Sequence, residues 1–339
     1  MVDLPKNSDE ITPAWLSRVL NRAVSVCDVT RIGVDEGFTG GGLFRVTLDD
    51  GSLVAKLSPE DSKLRLEFKA ANSREVQFYT EFAQDDRLPV PRCYYGDVDA
   101  ETGASILIME DIGGRAVPFA AGCTLQDAER VVDALAKIHS AFWQSAELAD
   151  IQGVETLEEF DFKQVWGRYD AALKDVLDCE VPAAVARLGA FFANHSNDVF
   201  GQLLDSEPMT LLHRDVQVDN ILLHDDGVSL LDWQFVGKGR GAYDLAYFLI
   251  SSLDPNLRRA HEKALVKRYV MALSQDDYGF ERCWADYILG VFGKINVTVI
   301  ATVLLDNAGA HKQAWRRADL DRLTSFCDDH AGRLKALGV

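Results

Sequence analysis

The strongest constraint on this chain is a pair of polar motifs set between apolar runs: Leu211-Leu212-His213-Arg214-Asp215-Val216-Gln217-Val218-Asp219-Asn220, followed by Leu230-Leu231-Asp232-Trp233-Gln234. The first has the form H-x-D-x-x-x-x-N, and the second supplies a further Asp. Between them an apolar run (Ile221-Leu222-Leu223), a turn at Asp225-Asp226-Gly227 and a second apolar run (Val228 to Leu231) predict a hairpin with Asn220 and Asp232 at neighbouring strand ends. Phosphoryl transfer from ATP needs one carboxylate to orient the accepting hydroxyl and take its proton, and two oxygen ligands to hold Mg²⁺ against the phosphates. Asp215, Asn220 and Asp232 are of the right type and order for those three roles. Singly, each is an ordinary turn residue; the ordered set carries the reading.

Such a chemistry needs a phosphate clamp, and the N-terminal third offers one in order. Phe38-Thr39-Gly40-Gly41-Gly42-Leu43-Phe44 lies between two strand-like segments, Val26 to Val34 and Phe44 to Leu48. Glycines let backbone N–H groups approach phosphate oxygens closely, although three of them also suit a plain hairpin turn. The next strand, Ser52-Leu53-Val54-Ala55-Lys56-Leu57, places Lys56 inside an apolar run, where its ammonium is costly unless it meets an anion; an edge-strand surface position is the alternative. Glu75, on a helix expected from about Lys63 to Ala83, is placed to pair with Lys56. Glu67 and Glu81 are its rivals, and Glu75 is preferred because Val76-Gln77-Phe78-Tyr79 beside it anchors the helix. Ala104 to Ile112 reads as a strand ending in two acids. In a two-lobed kinase Met109, Glu110 and Ile112 would fall where the chain crosses between lobes and its backbone meets the adenine edge; Glu110 and Asp111 also suit strand-end solubilising charges.

Together these segments resemble the choline kinase and aminoglycoside phosphotransferase superfamily of protein-kinase-like enzymes, and within it the ecdysteroid kinase-like branch. The resemblance rests on Val54-Ala55-Lys56-Leu57, Glu75 with Phe78-Tyr79, Met109-Glu110-Asp111-Ile112, Leu135-Ala136-Lys137-Ile138-His139, the His213 to Asn220 loop, Asp232-Trp233-Gln234 and Tyr243 to Leu249. It implies that Asp215 is the catalytic Asp, that Asn220 and Asp232 bind Mg²⁺, that Lys56 and the Gly40 to Gly42 loop bind ATP phosphates, and that Glu75 positions Lys56. Three positions depart from the usual pattern. Arg214 stands where Gly is usual, Val216-Gln217 replaces Leu-Trp, and Trp233 replaces Phe; Arg214 and Gln217 bear on the shape of the acceptor site. His-Arg-Asp is also the protein-kinase form, but only eleven residues separate Asp232 from Asp244 and the chain has no Ala-Pro-Glu. That leaves no room for a peptide-presenting activation segment, so a small-molecule acceptor is preferred.

Charge and composition narrow the partners. Thirty-five basic residues against 53 acidic ones give a formal charge of −18, which disfavours duplex nucleic acid and anionic membranes. An acidic surface also suits a cationic acceptor, but an ordinary acidic soluble protein is the preferred reading. Six scattered cysteines without a Cys-x-x-Cys pair suggest neither zinc nor a disulfide framework, and with no signal-like N-terminus a cytoplasmic location is expected. The apolar stretch Tyr287 to Leu305 contains Lys294, Asn296, Gly290 and Gly293 and reads as a buried helix rather than a membrane span. The histidines form no ligand cluster, and His213 is expected to brace the loop. Oligomeric state is not legible.

The expected fold is therefore α+β and bilobal, of protein-kinase type. A small N-terminal lobe (1–112) has an antiparallel sheet and one main helix, and a larger, mostly helical lobe (113–339) carries the catalytic loop and acceptor site, with Gly113-Gly114 as hinge. Helices are expected over Ile11 to Asn21 with Thr12 as N-cap, Thr124 to Ala146, Leu157 to Leu177, Pro182 to Leu204, Ala242 to Ser252, and from Asn256 onward. Asp244 reads either as an acid favoured at a helix start or as a brace for the catalytic hairpin. Trp143, Trp166, Tyr169, Trp284, Tyr287 and Trp315 suit core packing or an apolar pocket for a lipophilic alcohol or steroid. The expected activity is ATP- and Mg²⁺-dependent phosphorylation of a small hydroxyl compound. An aminoglycoside or choline-like kinase, or a catalytically silent nucleotide-binding scaffold, are the alternatives.

Overall fold

The structure is a computed structural model describing residues 3–32, 41–83, 87–151, 161–305 and 309–339. Packing divides the chain into two compact units, Met1–Gly114 with Leu231–Phe235, and Arg115–Leu230 with Val236–Val339.

The first unit is built on a five-stranded antiparallel sheet: β1 (Cys27–Arg31), β2 (Gly42–Leu48), β3 (Gly51–Leu57), β4 (Cys93–Val98) and β5 (Ser105–Glu110), in the order β1-β2-β3-β5-β4. Alternation decides its faces. Phe44, Val46 and Leu48 on β2 and Leu53, Ala55 and Leu57 on β3 are buried against Ile11, Trp15 and Leu16. The last two belong to α1 (Pro13–Val19), which starts with Thr12 accepting from the Trp15 amide and Pro13 in its first turn. β5 is buried along Ser105 to Met109, on both faces, because the opposite face is covered as well. A Cβ added to Gly96 of β4 would touch Leu107, Val76 and Thr80, which places the Val76 helix on that second face. Lys56 pairs in register with Leu107 and so shares its face.

The helix expected over Lys63 to Ala83 is divided. α2 (Ser62–Glu67), capped by Asp61, ends at Phe68, whose ψ of 9° leaves the helical region, and α3 (Lys69–Gln77) then runs into a wider π-helical turn, Phe78–Phe82. The break leaves α3 free to take its own direction on the sheet, with Ala71, Arg74, Glu75 and Val76 buried. The segment Leu231–Phe235 joins this unit by stacking Trp233 on Phe78, with ring centroids 4.1 Å apart and an interplanar angle of 11°. The Gln234 carbonyl accepts from Arg74 Nε at 3.2 Å.

The second unit is mainly helical: α4 (Leu125–Ala141), α5 (Phe162–Leu177), α6 (Ala183–Leu204), α7 (Ala242–Ser252), α8 (Pro255–Leu273), α9 (Phe280–Leu289), α10 (Val291–Leu304), α11 (Ala310–Asp329) and α12 (Ala331–Ala336). Short strands accompany them: β6 (Arg115–Ala116), β7 (Thr210–Leu212), β8 (Ile221–Leu223), β9 (Val228–Leu230) and β10 (Gly237–Gly239). α4 opens with a capping box in which Thr124 and Asp127 satisfy each other's amides. The expected hairpin forms between β8 and β9, Ile221 opposite Leu230. The strand pairing of Gly237 to Gly239 with β7 has no apolar signature and reads as loop in the sequence. α6 carries a kink at His195 (φ −133°), and α5 begins at Phe162, the earlier part of its expected span lying outside the described residues.

All eleven residues of α7 are buried, so this helix is enclosed on every side and forms the centre of the unit. The Phe280–Leu304 stretch is apolar and long enough to cross a membrane by composition, but 78% of that window is buried, and it is two helices meeting at Gly290. Gly290 allows this junction to approach α7, since a Cβ there would collide with Ala246. Ahead of α7, a Cβ on Gly241 would meet Tyr269 Oη, with His139 Nδ1 2.7 Å away, and those two atoms are already hydrogen-bonded to each other. Gly241→Ala is therefore expected to lower unfolding free energy by about 1–3 kcal/mol, the usual cost of overpacking a core, measurable as a reduced urea midpoint at unchanged m-value.

Candidate active site

In the first unit, Lys56 is the organising group. Its ammonium lies 2.7 Å from Glu75 Oε1 and 2.8 Å from Asp232 Oδ1, joining β3, α3 and a segment 176 positions downstream. Of the three acids weighed on sequence, Glu75 is the one that meets Lys56, because the buried face of α3 lies over the Lys56 side of the sheet. Burial alone would lower the Lys56 pKa, but the Asp232 and Glu75 carboxylates outweigh it and raise it, so the ammonium stays charged. Two carboxylates share this one cation. Burial pushes the Glu75 carboxyl up to about 7, with Lys56 opposing and the Asp232 charge adding to the rise. Asp232 is the more open of the two acids, its side chain 31% exposed against 5% for Glu75.

The glycine segment falls partly outside the described residues, Gly40 among them. Gly41 and Gly42 enter β2, and a Cβ on Gly41 would stand 2.9 Å from the Leu57 carbonyl, so the backbone here passes close to the end of β3. Met109 is buried on β5, and Glu110 is exposed with its amide donating to the Arg92 carbonyl at 2.8 Å. Asp111 is anchored by Arg45 Nε at 2.6 Å and Ser52 Oγ at 2.7 Å, and Arg45 holds its carboxyl below the usual range against the effect of burial. Among the described residues the Ile112 amide has no hydrogen-bond partner, which leaves it able to donate to a ligand.

In the second unit, the loop after β7 is held by α7. The Asp244 carboxylate, fully buried, accepts from the His213 amide at 2.7 Å and the Arg214 amide at 2.9 Å, with His139 Nε2 at 3.4 Å. Asp244 therefore braces the loop. His213 Nδ1 in turn accepts from the Asp215 amide at 3.3 Å, the bracing role expected of it. One turn along α7, Tyr247 donates to Asp215 Oδ1 at 2.8 Å, while Asn220 Nδ2 donates to Asp215 Oδ2 at 2.9 Å. The Asn220 amide oxygen is thus turned away from Asp215 and free to bind a cation. Tyr247 was visible in the sequence only as part of an apolar motif. Its spacing from Asp244, three residues on one helix face, is the signal that could have marked it.

The aromatic residues considered for an acceptor pocket do not form a single wall. Trp143 packs with Tyr278, Trp166 with Tyr169, and Trp284 with Tyr287, in separate places. Only Trp315 reaches the loop, its Nε1 donating to Asp219 at 3.2 Å while its ring stacks on Phe119.

In the first unit Asp232 has a second carboxylate oxygen, a hard ligand of the kind Mg²⁺ prefers, and Lys56 is a cation for phosphate oxygens. In the second unit Asn220 has an amide oxygen of the same hard type. Among the described residues no three His, Cys, Asp or Glu side chains are grouped to hold a metal.

The phosphotransferase enzyme family model matches residues 36–283. The chain belongs to that family. A kinase-like protein of Caenorhabditis elegans is 24% identical over 242 residues, 63% of this chain and 60% of that protein. Acyl-CoA dehydrogenase family member 11 of Gallus gallus is 29% identical over 171 residues, 47% of this chain and 20% of that one. The chain thus spans three fifths or less of these curated relatives. Among solved structures, the GDP complex of an aminoglycoside 2'-phosphotransferase has a TM-score of 0.58 at 14% identity, covering 96% of this chain and 99% of that one. Choline kinase of Cryptosporidium parvum has 0.55 at 11% identity, covering 91% and 90%, and a choline/ethanolamine kinase family protein of Mesorhizobium loti has 0.55 at 15%, covering 94% and 95%. The fold is that of the aminoglycoside phosphotransferases and choline kinases, as expected.

The raised Glu75 carboxyl gives a pH signature. A carboxyl whose folded pKa lies above its ordinary 4.5 contributes stability below that value and loses it as pH rises through about 7. Without nucleotide or metal, the stability difference between Glu75→Gln and the unaltered chain is expected to shift in favour of the variant across that window, measured by urea unfolding at stepped pH. A difference independent of pH would remove the assignment.

Proposed function

We propose that this chain transfers the γ-phosphoryl group of ATP, with Mg²⁺, to a hydroxyl of a small organic molecule. The observation that carries the reading is the Lys56 ammonium held between Glu75 and Asp232, at 2.7 and 2.8 Å, with Asp232 keeping an oxygen for a metal ion. In this reading Lys56 binds phosphate oxygens, Glu75 fixes Lys56, Gly40 to Gly42 approach the phosphates through their amides, and Met109 to Ile112 offer backbone groups to the base. Bound Mg²⁺ would neutralise charge on the phosphates, and Asp232 and Asn220 are the residues to hold it.

The acceptor step belongs to Asp215. Its carboxylate is fixed from two sides by Tyr247 and Asn220, so a hydroxyl placed against it meets an acceptor of set orientation. As the hydroxyl oxygen bonds to phosphorus and the bond to the leaving nucleoside diphosphate breaks, the hydroxyl proton passes to Asp215. A lipophilic alcohol or steroid is the acceptor class suggested by the ecdysteroid kinase-like resemblance. A second class, cationic amino alcohols, is favoured by the acceptors named for the aminoglycoside and choline kinases that share the fold.

Asp215→Asn keeps the size and shape of the side chain while removing the base and one of its two acceptor oxygens, and is expected to lower kcat by about 10²–10⁴-fold with ATP binding retained. Asp232→Ala is expected to lose the Mg²⁺-dependent part of nucleotide affinity. Product formation with an alcohol panel and calorimetric ATP titration with and without Mg²⁺ read these two effects. Undiminished turnover in Asp215→Asn would overturn the assignment.

A further inference from the structure

Near the catalytic loop, the second unit encloses a charge that the proposed chemistry does not use. Lys294, on α10, has no exposed surface, and its ammonium lies 2.6 Å from Asp319 Oδ1 of α11, which is also fully buried. Thr298 Oγ1 donates to the other Asp319 oxygen at 2.7 Å. The rest of the ammonium's surroundings are aromatic: the rings of Tyr247, Trp315 and Phe119 lie 4.7, 5.4 and 5.7 Å from Nζ. Three ring faces and one carboxylate around a desolvated cation make a cation-binding cage, and such an environment recognises an alkylammonium whatever molecule carries it.

The cage shares its walls with the loop. Tyr247 donates its hydroxyl to Asp215, and Trp315 donates its indole N–H to Asp219, which stands exposed beside Asn220. Two of the three cage rings therefore reach the loop residues Asp215 and Asp219 through their polar ends, so an acceptor whose hydroxyl lies on Asp215 has Tyr247 between its reacting end and the cage. If the cage were open, an acceptor's own ammonium would be stabilised there. In this chain the place is taken, and a second cation brought beside Lys294 in a poorly solvated site would be repelled.

We propose that Lys294 is the chain's own occupant of a cation cage abutting Asp215, and that it turns acceptor choice away from cationic alcohols and toward uncharged ones. The proposal rests on the reading of Asp215 as the carboxylate that orients the hydroxyl. It makes Lys294 a specificity-determining residue rather than a catalytic one.

The test compares choline with its uncharged isostere, in which a tert-butyl group replaces the trimethylammonium, as acceptors for Mg²⁺-ATP in the chain as a whole. The unaltered chain is expected to favour the uncharged alcohol in kcat/KM by roughly tenfold or more, and Lys294→Ala to reduce or reverse that preference. Binding is read separately by melting temperature. Propylammonium, which replaces the atoms deleted in Lys294→Ala, is expected to raise the variant's Tm where propanol does not, and to leave the unaltered chain unmoved. Preference for choline by the unaltered chain, an unchanged preference in the variant, or equal Tm effects of propylammonium and propanol would each overturn the proposal. Should Lys294→Ala not fold, Lys294→Met fills the cage without charge and must reduce the discrimination. Failure of the phosphotransfer reading shows differently, as no ATP-dependent product from any alcohol, and the propylammonium shift then decides the cage by itself.

Discussion

A carboxylate with no exposed surface holds the functional loop of the second unit in place. Asp244 sits in the first turn of a helix buried along its whole length, where the amides of that turn point toward it and favour a negative charge. An isolated buried carboxylate would cost several kcal/mol, yet this one accepts two backbone N–H groups and faces His139, whose other ring nitrogen is tied to Tyr269. Charge-assisted hydrogen bonds of this kind contribute about 1.5–3 kcal/mol each. The consequence is geometric as well as energetic. Because the two amides belong to His213 and Arg214, the position of Asp215 is set by the centre of the unit rather than by the surface loop that carries it.

The first unit solves a different problem, that of keeping a lysine charged on the face of a sheet. A single carboxylate would be enough to stabilise the ammonium, but Lys56 has two, and they are unlike. Glu75 is enclosed and comes from the same compact sequence region, whereas Asp232 is partly open and arrives from far along the chain, fixed by the stacking of Trp233 on Phe78 and by Arg74 on the Gln234 carbonyl. The closed acid holds the lysine and the open one keeps an oxygen for other work. With Asp232 turned toward a cation, Lys56 would still have Glu75. Burial raises the Glu75 carboxyl, and the Asp232 charge adds to the rise, since without a ligand two anions compete for one ammonium.

Legibility followed how local the determining interaction is. The α1 cap at Thr12 and Pro13, the start of α4 near Thr124, the β8–β9 hairpin and the extent of α7 are set by residues within a few positions of one another, and each was readable. The partnership of Lys56 and Glu75 was readable because an isolated charge in an apolar strand demands a partner and a neighbouring helix offered one. The break at Phe68 was not, since it depends on how α3 seats on the sheet. Nor was the strand at Gly237 to Gly239, whose pairing with β7 lies in backbone hydrogen bonds without a side-chain pattern. Lys294 appeared only as an interruption in an apolar stretch. Its partner Asp319 lies on a helix of mixed polarity, and nothing in either segment announces that the two meet.

Backbone conformation links the two motifs from which the reading began. Among the described residues six non-glycine residues have positive φ, and four of them, Asn21, Gln144, Asp178 and Ser274, follow the ends of helices, where a left-handed residue is the ordinary terminator. The other two are Arg214 (φ 69°) and Asp232 (φ 64°), each inside a motif and away from any helix end. A side chain in this region costs about 1–2 kcal/mol relative to the right-handed form. For Arg214 the cost explains why glycine is usual at this place in the family it resembles: the loop must turn here so that consecutive amides can reach Asp244. Arginine is kept in that conformation by its amide bond to Asp244 and by its guanidinium lying 5.9 Å from the centre of the Tyr243 ring. Asp232 is kept there by Lys56 on one side and the Trp233 stack on the other. Strain sustained at these two positions, each next to or on a carboxylate with a proposed chemical role, is what a site under geometric demand shows, whereas the four helix-end residues carry none of that meaning.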